Sequence, residues 1–179
     1  MKKIITYGSQ YGTTKRYAKK LSEITTIPSS DESDVKNLSS FDVIIHLGGL
    51  YAGRVKGLKK IVKHTPKQAR LIVITVGLAD VNNEVNTSKI KNDVKNQIPG
   101  DLLKRTQIFH LRGGIDYSKL SITHKAMMTL LYKKVKAMPE EKKTAEIQFM
   151  IDTFNQKVDF TDFSTLDSIV QAISHLEEI

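Results

Sequence analysis

The chain has no cysteine, which excludes disulfides, thiolate catalysis and iron–sulfur clusters held by its own residues. Its five histidines are scattered and form no ligand-like pair, so a structural metal is not expected. No apolar run approaches the roughly 20 residues that a membrane-spanning helix needs. The opening Met1-Lys2-Lys3-Ile4-Ile5 has the charge of a secretion signal, but its apolar stretch stops at Thr6-Tyr7-Gly8 with no cleavage pattern behind it. We read it as a first strand and expect a cytoplasmic protein. No internal repeat is visible. Aromatic residues make up only 7% and do not interleave with the basic clusters, as stacking platforms for bases require. Nucleic acid is therefore not the expected partner.

What is present is an ordinary globular composition in 179 residues, 40% hydrophobic and 26% charged, long enough to bury a core in one domain. The net charge is +9. Such a surplus attracts anionic partners or, in its plainer reading, describes a lysine-rich solvated surface.

Strand-like apolar runs alternate with amphipathic stretches along the chain. Residues 2–7 read as a strand, and 13–24 as a helix burying Tyr17, Leu21 and Ile24. A short strand is expected near 25–28, then a polar loop through PSSDESD. Residues 42–47 (DVIIHL) read as a buried strand followed by the glycine-rich GGLYAG. Residues 54–64 carry apolar side chains at 55, 58, 61 and 62, a helical spacing that Pro66 ends. The continuous run 70–76 (RLIVITV) suits a strand covered on both faces. Helices are expected over 87–97, 119–138 and 164–177, the last capped by Ser164 or Thr165, with a short strand at 107–111. The alternation predicts an α/β fold: a parallel sheet with helices on both faces. Ligands of such sheets bind at the carboxyl ends of the strands. Three glycine-bearing loops meet that rule: 8–13, 48–53 and 77–83.

The first of these, GSQYGTT, can form an anion nest at a helix N-terminus, with Ser9, Thr13 and Thr14 as hydroxyl donors. Gly8 and Gly12 are one residue too close for a nucleoside triphosphate loop, and Thr13 stands where the lysine belongs. The G-x-G-x-x-G dinucleotide fingerprint is absent too. A phosphorylated receiver needs acidic residues at strand ends, but position 46 is histidine and residues 6–11 hold no carboxylate. The plain alternative is a strand-to-helix turn that uses glycine only for backbone freedom.

Ser9-Gln10-Tyr11-Gly12-Thr13-Thr14 resembles the phosphate loop of flavodoxins, commonly [ST]-x-T-G-x-T, with Tyr11 in place of the middle threonine. GGLYAGRVKGLKKIVK is similar to the P-I/V-Y-A-G-R stretch of a flavodoxin branch that includes menaquinone-dependent protoporphyrinogen dehydrogenases, with Gly49 replacing the proline. HLRGGIDYSKLSITHKAMMTLLYKK resembles that branch as well. The resemblance implies a flavodoxin-like three-layer sandwich: a five-stranded parallel sheet, helices on both faces and a basic helical insertion, 112–160, before the last helix. It implies FMN as cofactor. Ser9, Gln10, Tyr11, Gly12, Thr13 and Thr14 would cradle the phosphate. Gly49, Leu50, Tyr51, Ala52 and Gly53 would form one wall of the ring site, and Gly77, Leu78 and Ala79 the other. With no Lys or Arg between Gly8 and Thr14 the cradle is expected to be neutral. Gly48, Gly49 and Gly53 would let the wall loop turn a carbonyl toward the ring. No residue is assigned as catalytic acid or base, and His46 and His110 read as satisfied core histidines.

The insertion carries eight Lys or Arg against three acids over 112–143, with apolar residues at helical spacing over 120–138. It reads either as a helix packed on the sheet with a lysine-rich outer face, or as a basic amphipathic helix for an anionic membrane or an acidic partner. It departs from the sheet at Arg112-Gly113-Gly114, beside the expected ring site. Three functions stay open: a quinone-linked oxidoreductase of the protoporphyrinogen dehydrogenase type, a non-catalytic electron carrier meeting a redox partner protein, and a flavin-free basic interaction module. Peripheral contact of 119–138 with the inner membrane face is a further expectation.

Overall fold

The computed structural model describes residues 1–51, 53–143 and 145–176. The continuous apolar run forms β5 (Arg70–Gly77), an interior strand of a parallel sheet. Its neighbours are β3 (Val43–Tyr51) and β6 (Thr106–Arg112); beyond β3 lie β1 (Lys3–Gly8) and the edge strand β2 (Ser29–Asp31). The order β2-β1-β3-β5-β6 is the five-stranded flavodoxin-like arrangement. Side chains alternate across the sheet as its pleat dictates. Ile72, Ile74, Ile45 and Leu47 enter one core with α1 (Thr13–Thr25) and α7 (Asp167–His175). Ile44, Leu71 and Val73 enter the other with α2 (Leu58–His64) and α3 (Glu84–Lys95). Helices thus cover both faces, as expected, and a short α4 (Gly100–Leu103) adds Leu102 to the second core.

Several boundaries differ from the sequence reading for identifiable reasons. The second strand is Ser29–Asp31 rather than 25–28, because an edge strand with one neighbour tolerates polar residues. Tyr17 and Leu21 are buried in α1, but Ile24 is 44% exposed. Thr26, in the left-handed region at φ 57°, turns the chain there, and Ile27 is buried instead. The strand at 43 continues through the glycines to Tyr51, then doubles back as β4 (Arg54–Val55), paired Leu50↔Val55 and Tyr51↔Arg54. Helix α2 therefore starts at Leu58, not 54. The last helix begins at Asp167, after a 3-10 turn over Phe163–Leu166. That turn is capped by Asp162, which accepts from the Ser164 N–H, so neither Ser164 nor Thr165 is the cap.

The insertion is not wholly helical. It opens with β7 (Gly114–Asp116) and closes with β8 (Lys157–Asp159), an antiparallel pair, and between them run α5 (Ile122–Lys136) and α6 (Ala145–Asp152). Both ends meet at one side chain. The buried Tyr17 hydroxyl donates to the Arg112 carbonyl (2.8 Å) and accepts from the Asp162 N–H (2.9 Å). Arg16, one residue earlier on α1, pairs with Asp159 at 2.7 Å. The Asp159 carboxyl is held down to about 2, first by the Thr161 hydroxyl and then by Arg16. Within the insertion Tyr132 stacks on Phe154 (centroids 4.0 Å), and the Arg112 guanidinium lies 3.9 Å over the Phe160 ring. Among the described residues no helix is long and apolar enough to cross a membrane.

Candidate functional site

Gly8 ends β1 and Gly48 lies in register beside it on β3. Both are required by a close approach. The 54–57 segment crosses above them, and a Cβ on Gly8 would fall 2.4 Å from the Lys56 carbonyl oxygen, one on Gly48 2.2 Å from Val55 Cγ1. Gly48 and Gly49 are held in the strand ladder, and the Gly49 carbonyl accepts from the Lys56 N–H at 3.0 Å. The backbone freedom expected at these two glycines is thus used for packing. Gly53, at φ +76°, is the wall glycine that occupies a turn.

Beyond Gly8 the chain forms the candidate cradle. The Gly12 N–H donates to Ser9 Oγ (3.1 Å), and Gly12 itself, at φ 96°, starts α1 without a side-chain cap. The first-turn N–H groups face the end of the helix with no side chain to satisfy them, which suits an anion. Thr14 is buried below them. No cation lies within residues 9–14, as read from the sequence. The tertiary structure nevertheless brings one to the loop: Lys56 Nζ is 2.5 Å from Gln10 Oε1.

A cavity of about 420 Å³ lies at the carboxyl ends of β1, β3 and β5, within the size range of small-molecule sites. Of the residues predicted for the cofactor, Ser9, Tyr11, Thr13, Thr14, Gly49, Leu50, Tyr51, Gly77 and Leu78 line it together. Gln10, Gly12, Gly53 and Ala79 do not. Gln10 faces outward to Lys56, the Gly53 carbonyl accepts from Gln97 Nε2 (3.0 Å), and Ala79 packs toward the second core. Ala52 lies outside the described residues.

The remaining wall comes from the insertion. Leu120, His124, Met127, Met128 and Leu131 close the cavity from the α5 side. His124 Nδ1 is hydrogen-bonded to the Tyr11 hydroxyl, and its ring is parallel to that of Tyr51 within 2°, centroids 6.4 Å apart. Tyr11, the residue that departs from the flavodoxin pattern, thus joins the cradle to α5. Burial raises the Tyr51 phenol, against a lowering hydrogen bond from the Gln10 backbone. His124 was not legible as a site residue, since it lies 113 positions from Tyr11. The only available signal was that the insertion departs beside the strand ends.

The two strand histidines are structural. His46 is fully buried; its Nε2–H donates to the Lys56 carbonyl (2.8 Å) and its Nδ1 accepts from the Thr6 hydroxyl (2.9 Å). Burial pushes its pKa down to about 4, so the ring is neutral at pH 7. His110 bonds Thr75 Oγ1 at 2.8 Å and is lowered by burial and then by Lys91.

The family model for the flavodoxin domain matches residues 4–143, and the chain belongs to that family. Among solved structures, a putative flavoprotein from Bacteroides uniformis ATCC 8492 is 13% identical over 63% of this chain and 90% of its own, with a TM-score of 0.49. A mutant flavodoxin from Pseudomonas aeruginosa is 18% identical over 74% and 95% (TM-score 0.43). A flavoprotein in complex with FMN from Lactobacillus acidophilus NCFM is 11% identical over 62% and 91% (TM-score 0.45). No curated protein matches the chain.

Proposed function

We propose that the chain binds FMN in the cavity at the strand ends and acts as a redox protein, a quinone-linked oxidoreductase of the protoporphyrinogen dehydrogenase type. The observation that carries this reading is the convergence of all three strand-end loops on one cavity. The donor set fits the cofactor. Uncapped N–H groups and hydroxyls at the start of α1 suit a phosphate, and the largely apolar remainder, including Tyr51 and Leu78, suits a planar ring. Bound there, the isoalloxazine supplies one- and two-electron transfer. The protein's own part is to hold the phosphate at 9–14, to wall the ring with 49–51 and 77–78, and to exclude water with α5. The apolar face that α5 turns to the cavity favours an oxidoreductase with an apolar acceptor over a simple carrier, whose ring edge stays open to a partner protein.

Reconstitution with FMN tests the reading. The retained protein should be yellow with flavin absorption bands, and should pass electrons from a two-electron donor to a quinone. A colourless protein after reconstitution would sink it, and flavin retention with a stable semiquinone but no quinone turnover would favour the carrier. Replacing Ser9 and Thr14 together by Ala should weaken FMN while the fold survives.

We also propose peripheral contact of 119–138 with an anionic membrane. Ile122 (87% exposed) and Leu130 (69%) stand out from α5 beside Lys125, Lys133 and Lys134. Co-sedimentation with anionic but not neutral vesicles, lost on Ile122→Asp with Leu130→Asp, is the expected result.

A further inference from the structure

The backbone of Lys56 is fixed more tightly than a loop residue requires. Its N–H donates to the Gly49 carbonyl (3.0 Å), and its carbonyl accepts from the buried His46 (2.8 Å). Gly8 and Gly48 are both without the Cβ that would come within 2.8 Å of that same carbonyl oxygen. Gly57, at φ +83°, then turns the chain into α2, and a Cβ there would strike His46 at 2.9 Å. Two strands, a core histidine and three glycines thus hold one lysine above the carboxyl ends of β1 and β3.

From that position the half-buried side chain runs over Gly8 to the outer side of the cradle loop, where its ammonium meets the side-chain amide of Gln10. The neighbouring cation is used differently: Lys60 Nζ is taken up by the carbonyls of Glu32 and Ser33. The acid on that side, Asp31, accepts from the N–H and hydroxyl of Ser33, and against its burial these bonds, with the charges of Lys56 and Lys15, hold its carboxyl below the usual range. Lys56 is a cation delivered to the loop, with the neutral Gln10 amide as its hydrogen-bond partner and the Asp31 carboxylate within its electrostatic reach.

We infer that Lys56 is the cationic member of the phosphate cradle and makes the site select a phosphorylated flavin over its dephosphorylated form. This rests on the FMN reading. Helix dipoles and hydroxyls already favour the phosphate over a bare hydroxyl, and a charge-assisted bond from an ammonium widens that preference because it rewards the dianion. Gln10 is the placeholder that keeps the ammonium at the loop.

The test compares FMN with riboflavin, by quenching of flavin fluorescence, in the parent protein, Lys56→Met and Lys56→Arg. The parent should prefer FMN, and the preference should shrink as salt is raised. Lys56→Met should lose on the order of ten- to a hundredfold in FMN affinity and change riboflavin affinity less than about twofold. Lys56→Arg should retain most of the preference. The side chain is outside both cores, and an unchanged far-ultraviolet circular dichroism spectrum and melting temperature verify the fold. FMN bound equally by the parent and Lys56→Met overturns the inference alone, as does an equal loss in Lys56→Arg or a parent indifferent to the phosphate. A parent that binds neither flavin overturns the FMN reading and this inference with it.

Discussion

β5 and α5 are both rich in apolar residues, and the fold treats them oppositely. In β5, Leu71, Ile72, Val73 and Ile74 are at most 1% exposed and fill two cores. In α5 only Val135 is buried, while Ile122, Met127, Leu130 and Leu131 are 40% exposed or more. The difference is one of neighbours. A central strand has a hydrogen-bonded partner on each edge and a helix over each face, so every side chain finds a surface. A helix added after β6 meets neither core. It packs on α6, leans on the cavity mouth through His124, Met127, Met128 and Leu131, and leaves Ile122 and Leu130 largely to solvent. Apolar content therefore marks a buried core in one region and an exposed face in the other.

Four measurements put that contrast at risk. The largest effect belongs to the sheet: Ile45→Ala, at a fully buried site, should cost about 2–5 kcal/mol in denaturant unfolding. A loss below about 1 kcal/mol would mean the core is looser than its burial implies. Second, stability should fall with acid before the carboxylates titrate. His46 has a folded pKa of about 4, below its ordinary 6.5, so the unfolded chain binds the proton first. Its contribution is whole above pH 6.5 and is lost as pH falls to about 4, worth about 3 kcal/mol at 1.4 kcal/mol per tenfold step. Asp159, held at about 2, acts only below its ordinary 3.8, so the two windows are separate. Unfolding midpoints at pH 7, 5.5 and 4.3 that do not change would refute the assignment.

Third, Tyr17→Phe keeps the buried ring but deprives the Arg112 carbonyl and the Asp162 N–H of their shared partner. About 1–3 kcal/mol should be lost, with faster proteolysis inside 113–161. Cleavage no faster than in the parent would show that other contacts hold the insertion. The smallest effect is expected at Leu130→Ala, 69% exposed on α5, which should shift stability by less than about 0.5 kcal/mol. A core-sized loss there would erase the contrast.

How far the fold was legible follows from the same physics. Continuous and periodic apolar runs located β1, β3, β5, β6, α1 and α3 because most of the apolar side chains on these elements enter a core. The misread places are those where a distant contact decided. Val55 and Leu58 share a helical spacing, yet Val55 belongs to a strand because β3 offers Leu50 as its partner. Ile24 fits the apolar stripe of α1, but the chain turns at Thr26 and Ile27 is the residue that is buried. The β7–β8 pair has three residues on each side and no pattern that a local reading can detect.

By itself, the sequence determined the parallel α/β class and the three glycine-bearing loops at the strand ends. These depend on local spacing, which survives without knowledge of what packs where. Only the tertiary structure decided that Gly8 serves the backbone of Lys56, that Lys56 reaches Gln10 across 46 positions, and that Tyr11 meets His124 across 113. A pattern of residues states which face is apolar and which loop is bendable. It does not state which distant side chain the folded chain will bring there.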